Sequence, residues 1–300
     1  MNERIIQVLR EMNLRGLDSF LITDPLSIYY LTAVDNDPGE RFYGFLLREN
    51  GRHLLVANRL FNVPEIEWDI LWYSDTDKPV DELAEHLRDS RHLGVDKELA
   101  ARFLLPLQER LRETDMTLAS ECVDWVRAIK DEKEKELMRK ASAINDEVME
   151  LAAAHIKEGM TEKQIAACID RMYLEKGASG NSFPTIVSFD ANAADPHHMP
   201  DDTVLKEGML VLIDMGCVYQ RYCSDMTRTF FFRSATDKKK YIHDLVREAN
   251  EKAESIIKPG VRLCDIDSAA RDHIAAAGYG EYFNHRLGHF IGQRDHEYGD

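Results

Sequence analysis

The chain has 300 residues, 44% of them hydrophobic and 31% charged, which is typical of a globular protein with one large domain or two ordinary ones. Its formal net charge of −16 argues against a nucleic-acid surface, which usually needs a basic patch. No apolar run approaches the roughly 18 residues that span a bilayer, so no membrane contact is expected. The N-terminus lacks the apolar core of a signal peptide, and five scattered cysteines show no zinc-ribbon or redox spacing. The sequence therefore predicts a cytoplasmic protein with reduced thiols.

The N-terminal part of the chain predicts alternating helices and strands. Apolar residues repeat at helical spacing in "MNERIIQVLREMNLRG", and short apolar runs at "SFLIT", "ILWYS" and "HLGVD" predict strands. In "YGFLLRENGRHLLVA", Asn50-Gly51 separates two apolar runs and predicts a hairpin in which both turn positions have positive φ. Helices are expected at "VDELAEHLRD" and "ARFLLPLQERLRE", so we predict a small sheet with helices packed on it.

A long helix is predicted after this region, because apolar residues recur in steps of three and four in "KDEKEKELMRKASAINDEVMELAAAHIKEGM". Its charge run, Lys130 to Glu136, is interpreted as a solvated helix face. A second helix follows in "TEKQIAACIDRMYLEKG", with Thr161 as its N-cap, Gln164 completing a capping box and Gly177 ending it.

Near residues 121–130 the sequence pattern changes from alternating short helices and strands to long helices. This change predicts a domain boundary, which gives domains at 1–125 and 126–300. In the second domain a strand is expected at "TIVSF", followed by the polar loop "DANAADPHHMPDD" and a hairpin. Two further helices are predicted, from about Asp237 to Ile257 and from Cys264 to Ala277.

Two acids flank the predicted hairpin in "MLVLIDMGCVYQRYCSDMTRTFFF". A turn at Tyr219-Gln220 would place Asp214 directly opposite Asp225, with their Cβ atoms about 4.5–5.5 Å apart. Two bare carboxylates so close would repel each other, whereas divalent cations would offset the charge. The alternative is a pair of ordinary charges on an exposed hairpin. The apolar run 210–213 before Asp214 favours burial, and hence a metal ligand.

The last segment, "HRLGHFIGQRDHEYGD", contains His285, His289 and His296. Imidazole is a common ligand of borderline metals, although any one of these histidines could equally be a surface or core residue. Gly288 and Gly292 flank His289, which suggests that the backbone passes close to another group there.

The combination of motifs resembles the pita-bread metallopeptidases. These motifs are Asp-x-Gly with a second Asp eleven residues later, then Thr-Arg-Thr-Phe, then His-x-x-Gly-His-x-x-Gly. The chain is most similar to the Xaa-Pro branch, aminopeptidase P and prolidase, and "GLDSFLITDPLSIYYLTAV" resembles the creatinase-type N-terminal domain found there. The resemblance implies an α/β (α+β) fold, with a mixed-sheet N-terminal domain and a C-terminal pita-bread domain that lacks its last strands.

The resemblance also implies a role for each matching residue. Asp214 would bind one metal, Asp225 would bridge two, and His289 would bind the second. His197 and His296 would be catalytic, the first steadying the transition state and the second contacting the scissile carbonyl or moving a proton. His285 and, by a weaker match, His198 would contact substrate.

The implied reaction is hydrolysis of Xaa-Pro bonds in small proline-containing peptides by a metal-bound hydroxide. The implied cofactor is a pair of divalent ions, Mn, Co, Zn or Fe, and the implied assembly is a homodimer. Two departures are expected to matter. Arg221 stands where the family usually has glycine, and residues 1–300 lack the two later glutamates of the family site, so the metal site is expected to be incomplete and its activity low.

Other functions stay open at this point. A methionine aminopeptidase is disfavoured by the N-terminal domain, and a creatinase by the retained ligands Asp214, Asp225 and His289. A catalytically inactive pita-bread binding protein is a further alternative, favoured by the missing glutamates and disfavoured by the retained histidines.

Overall fold

The computed structural model of the protein describes residues 2–298, which form two compact units divided between Ile129 and Lys130. The elements of the first unit are α1 (Glu3–Leu14), β1 (Ser19–Ile22), α2 (Pro25–Thr32), β2 (Gly44–Arg48), β3 (Leu54–Asn58), β4 (Asp69–Tyr73), α3 (Pro79–His86), β5 (His92–Val95), α4 (Ala101–Arg110), β6 (Asp115–Leu118) and α5 (Glu121–Ala128). They build a mixed six-stranded sheet in the order β4-β3-β2-β1-β5-β6. The predicted mixed α/β fold is confirmed.

Strand alternation gives this sheet two apolar faces, each covered by helices. Phe20 and Phe45 point into a core that includes Val8 of α1, while Leu21 and Leu46 point into a second core on the opposite face, with α3 and α4. Successive residues of a strand face opposite sides, so runs such as "SFLI" bury every side chain only when both faces are covered.

The hairpin predicted at Asn50-Gly51 is present, because β2 and β3 pair antiparallel. Its turn differs from the prediction. Gly51 has a φ of +78°, but Asn50 does not adopt a positive φ. The Asn50 side chain instead accepts a hydrogen bond from the Arg52 N–H at 3.0 Å, and the connection between the strands is longer than a two-residue turn.

The elements of the second unit are α6 (Glu132–His155), α7 (Glu162–Glu175), β7 (Gly180–Asn181), β8 (Ile186–Phe189), β9 (Leu210–Met215), β10 (Cys217–Tyr219), β11 (Tyr222–Cys223), β12 (Met226–Phe231), α8 (Asp237–Ser255) and α9 (Leu263–Ala276). Two three-stranded sheets, β11-β10-β7 and β12-β9-β8, share the hairpin that carries the candidate site. Apolar residues of α6 and α7, among them Val148, Ile169 and Tyr173, pack against Val187 and Ile213 of the second sheet.

The helix starts follow from local capping. The predicted capping box of α7 is present, with Thr161 accepting from the Gln164 N–H and the Gln164 side chain accepting from the Thr161 N–H. A second capping box, Asp131 with Glu134, starts α6. The interpretation of Lys130 to Glu136 as a solvated face is wrong at Glu134, which is buried and accepts a 2.8 Å hydrogen bond from the Tyr222 hydroxyl. It is also wrong at Lys130, whose side chain is nearly inaccessible.

No helix within residues 2–298 has the length and apolar character needed to cross a membrane. All five cysteines carry free thiols, three of which are buried.

Candidate metal centre

The hairpin that carries the two candidate acids turns at Gln220 and Arg221, which have φ values of +46° and +73°. Tyr219 pairs with Tyr222 across this turn, and Asp214 of β9 therefore lies opposite Thr227 of β12. The predicted turn at Tyr219-Gln220, with Asp214 directly opposite Asp225, is wrong. Moving the turn by one residue shifts every cross-strand pair by two positions.

The two acids remain on one face of the hairpin despite this shift. Asp225 precedes Thr227 by two residues, and alternate residues of an extended segment share a face. The Thr227 hydroxyl donates a 2.7 Å hydrogen bond to Asp214 Oδ1. Asp214 and Asp225 are therefore diagonal neighbours on the hairpin face rather than direct partners.

Gly216 allows the strands to approach closely between the acids. A Cβ atom at this position would lie 2.0 Å from the Ser224 carbonyl oxygen and 2.2 Å from the Ser182 hydroxyl. The Ser182 hydroxyl donates to that same carbonyl at 2.8 Å, and the Ser182 N–H donates to the Gly216 carbonyl at 3.0 Å. The glycine of Asp-x-Gly is thus required by packing next to the site.

His289 approaches Asp225, with 3.3 Å between Nε2 and Oδ2. Its other ring nitrogen, Nδ1, lies 3.1 Å from the Phe290 carbonyl oxygen, which can only accept, so Nδ1 carries a proton. In the neutral ring Nε2 carries a lone pair, and this lone pair faces the Asp225 carboxylate. Two acceptors at this distance need a proton or a cation between them, and a divalent metal fits this donor set.

The electrostatics of the acids agree with a cation site. Burial raises the pKa of Asp214. Burial first, and then the nearby Asp214 charge, raise the pKa of Asp225 to about 6 from its ordinary value of 3.8. Each acid is thus destabilised in its charged form, and a divalent cation would relieve that cost.

The three candidate ligands are only partly brought together. Asp225 and His289 are in contact, and Asp214 is near enough for its charge to raise the pKa of Asp225. Among residues 2–298, however, they are not a group whose ligand atoms all lie within 4.8 Å of one another.

His296 stacks on His289, with 3.7 Å between ring centroids and 13° between ring planes. Its Nδ1 lies 2.9 Å from Nη2 of Arg286, which can only donate, so a neutral His296 carries its proton on Nε2. The structure thus places a ring that bears an Nε2 proton against the candidate metal ligand.

A buried ion pair holds the segment that carries both histidines. The Glu297 carboxylate accepts from the Gln293 N–H at 2.9 Å and lies 3.2 Å from the Lys130 ammonium, both side chains being nearly inaccessible. A Cβ on Gly292 would lie 2.6 Å from that carboxylate, and the Gly292 carbonyl accepts from the Cys223 N–H at 2.7 Å. The segment is thereby attached to the acid-bearing hairpin.

His285 lies on the wall of an apolar cleft of about 900 Å³ between the end of α8, the start of α9 and the segment 284–290. His289 also lines this cleft. The His285 ring packs edge-on against Phe283, and its Nδ1 donates to the Arg286 carbonyl at 2.7 Å. This position places His285 beside His289 but not in contact with the two acids.

His197 and His198 occupy a separate loop. His197 is exposed, whereas Nε2 of His198 lies 2.7 Å from Glu162 Oε2, in a group with Asp201 whose ligand atoms all lie within 4.8 Å of one another. This group is not suited to a metal, because both Glu162 oxygens already accept two hydrogen bonds and Asp201 Oδ1 accepts from the Thr203 N–H at 2.7 Å. We interpret it as a hydrogen-bond network.

Comparisons with known proteins identify the family of this chain. Residues 136–300 match metallopeptidase family M24, and residues 4–129 match the creatinase/prolidase N-terminal domain. The chain belongs to metallopeptidase family M24. It is 36% identical to an uncharacterized peptidase of Staphylococcus aureus strain MSSA476, an alignment that covers 99% of this chain and 85% of that protein. The predicted resemblance to the pita-bread family and its Xaa-Pro branch is confirmed.

Solved structures similar to this M24 chain include two prolidases. The prolidase of Thermococcus sibiricus superimposes with a TM-score of 0.92 at 29% identity, covering 100% of this chain and 84% of that one. The prolidase of Pyrococcus horikoshii gives 0.86 at 31% identity, covering 99% and 84%.

Three residues of the candidate site and of the neighbouring histidine loop were not found from the sequence. A sequence signal existed for Thr227, because it follows Asp225 by two residues and opens the Thr-Arg-Thr-Phe motif. A sequence signal also existed for Glu297, because it directly follows His296. Glu162 had none, because an acid directly after an N-cap is usually a solvated residue of the first helical turn.

Proposed function

We propose that this chain hydrolyses the bond before proline in small Xaa-Pro peptides, with a divalent metal held by Asp214, Asp225 and His289. The observation that carries the proposal is the pairing of two acceptors, His289 Nε2 and Asp225 Oδ2, beside a second raised-pKa carboxylate. The similar folds of proteins named prolidases support the choice of substrate class.

His296, beside His289, and His197, in its own loop, are suited to steps of peptide hydrolysis. A divalent ion held by these ligands would supply a water acidic enough to attack a peptide carbonyl near neutral pH. His296, with its proton on Nε2, is suited to donate a hydrogen bond to the carbonyl oxygen as negative charge develops there. His197 is exposed and able to contact substrate. A proline residue donates no amide N–H, so its recognition relies on shape and apolar contact.

The proposal is tested with Ala-Pro and Ala-Pro-Pro as substrates and Mn²⁺ as the metal, with Ala-Ala as the comparison peptide. We expect cleavage before proline, loss of cleavage with a chelator and recovery when Mn²⁺ is restored. Asp225→Asn should lower kcat/KM by about 100-fold or more, since removal of one electrostatic group typically has that effect. Asp244→Asn, which changes an exposed acid of α8, is the matched control.

Two results would contradict the proposal. Cleavage that persists in the chelator would remove the metal from the mechanism, and equal cleavage of Ala-Ala would remove the proline specificity. Mn²⁺ binding without cleavage of either proline peptide would instead favour a catalytically inactive binding protein.

We further propose that these three ligands hold one ion tightly. Asp214 and Asp225 supply two negative charges, which offset one divalent ion but only half the charge of two. Two carboxylates and an imidazole, with positions left for water, match a catalytic site with open coordination. Calorimetric titration with Mn²⁺ should give one tight site per chain, and two tight sites would contradict this.

We also propose that the protein is a homodimer and that it is located in the cytoplasm. Sedimentation velocity of the purified chain tests the first, and fractionation of the source cells tests the second.

A further inference from the structure

Glu162 is a carboxylate that solvent does not reach, its exposure being 0%. It occupies the first position of α7, where the helix N-terminus favours negative charge. Its Oε1 accepts from the Phe189 N–H at 2.7 Å and from the Asn192 side chain at 3.0 Å. Its Oε2 accepts from the Asp201 N–H at 3.0 Å and lies 2.7 Å from Nε2 of His198. All four lone-pair positions of the carboxylate are thus occupied.

These four donors come from the two ends of one loop. Phe189 ends β8, and Asn192 lies in the 3-10 turn Asp190–Ala194. His198 and Asp201 come later in the sequence, after residue 195. The loop between them carries His197. Glu162 therefore joins both arms of the loop to the start of α7.

The two neighbouring histidines of the loop are placed differently. The His198 side chain is 16% exposed and bonded to Glu162. The His197 ring is exposed and makes no hydrogen bond to the residues that the structure describes, while its backbone N–H donates to Asp195 Oδ1 at 2.9 Å. One ring is fixed in the protein, and the other is presented outward.

We propose that Glu162 and His198 are positioning residues, which hold the loop so that His197 is presented to substrate. The inference rests on the proposed function for the role of His197, and it replaces the predicted substrate contact of His198 by an indirect role. His198 donates its Nε2 proton to the buried carboxylate. Loss of that donor leaves a buried charge with an unmet acceptor, and the loop must rearrange to satisfy it.

The test changes His198 rather than Glu162, because removal of a fully buried, saturated carboxylate would threaten folding. His198→Leu removes the donor. His198→Gln places an amide N–H at similar reach and should recover most of the lost activity. Met199→Leu alters an exposed side chain of the same loop, 61% accessible, and is the matched control.

A double-mutant cycle with His197→Ala separates positioning from a general structural effect. We expect His198→Leu alone to lower kcat for Ala-Pro by roughly 10- to 100-fold, because small misplacements of a contacting group have effects of that size. KM should change little. In the His197→Ala background, His198→Leu should lower kcat less than about twofold, because His198 acts only through His197.

Hydrogen exchange of the amides in residues 190–203 supplies a readout that is independent of activity. Exchange should become faster in His198→Leu and stay unchanged in Met199→Leu and His198→Gln, with Mn²⁺ affinity the same in all three.

Each outcome decides one of the two proposals. Failure of the unaltered protein to cleave any proline peptide overturns the proposed function, and hydrogen exchange then decides whether the loop is held as inferred. Unchanged exchange in His198→Leu overturns the positioning role. An equal loss of kcat in both backgrounds also overturns it, because the effect would not pass through His197.

Discussion

Within the candidate site, the surroundings of Asp225 raise the pKa of its carboxyl group strongly. Its pKa of about 6 lies above its ordinary 3.8 because of burial and, second, the Asp214 charge. In the metal-free protein a raised carboxyl pKa stabilises the folded state at low pH. That contribution is complete below about pH 4 and is lost as the pH rises through about 6.

A divalent ion and a proton should therefore compete for Asp225. We expect Mn²⁺ to raise the melting temperature clearly at pH 7.5 and much less at pH 5, where Asp225 is protonated. Asp225→Asn should remove most of the Mn²⁺ effect and raise the melting temperature of the metal-free protein at pH 7.5. Thermal denaturation at both pH values measures this, with Asp244→Asn as control. An Mn²⁺ effect equal at pH 5 and pH 7.5 would contradict the competition.

At the scale of single elements, the acid hairpin depends on close packing at Gly216. Its hypothetical Cβ meets backbone at 2.0 Å, and backbone cannot yield as a flexible side chain can. We expect Gly216→Ala to lower the free energy of unfolding by about 1–3 kcal/mol or more, the usual cost of overpacking. Chemical denaturation gives the value.

Gly288→Ala is the matched control for this substitution. Gly288 belongs to the histidine segment, but a Cβ there would meet nothing within 4 Å. Its stability should be close to that of the unaltered protein. If the two alanine variants are equally stable, the packing role of Gly216 is wrong.

Features set by neighbouring residues were predictable from the sequence, and features set by distant contacts were not. The capping box of Thr161 and Gln164 involves residues three apart, and the structure confirms it. The strand register around Asp214 depends on the two left-handed residues of the turn, Gln220 and Arg221, neither of which is a glycine. The burial of Glu162 depends on donors from a loop far along the chain, and no local pattern indicates it.

At the scale of the whole molecule, the first unit has the cores that an independent domain needs. Its six-stranded sheet is covered by apolar clusters on both faces, one including Val8 and Phe45, the other Leu46 and Leu83. A domain of this size with two covered faces is expected to fold alone.

Residues 1–129, expressed separately, should therefore show a single cooperative thermal transition by circular dichroism. Val8→Asp, at a fully buried position, should abolish the transition. Leu105→Asp should preserve it, because Leu105 is 58% exposed. Gradual melting of the unaltered fragment would show that this unit depends on the rest of the chain.

The Thr227 hydroxyl also has a consequence for cation size. Its bond occupies one of the two lone pairs of Asp214 Oδ1, so Oδ2 is the oxygen that is better able to bind a cation. Monodentate carboxylates suit small octahedral ions such as Mg²⁺, whereas Ca²⁺ readily accepts both oxygens at longer distances. A methyl group in place of that hydroxyl, as in Thr227→Val, would free the second lone pair of Oδ1, favour binding through both oxygens and shift selectivity toward ions of larger radius.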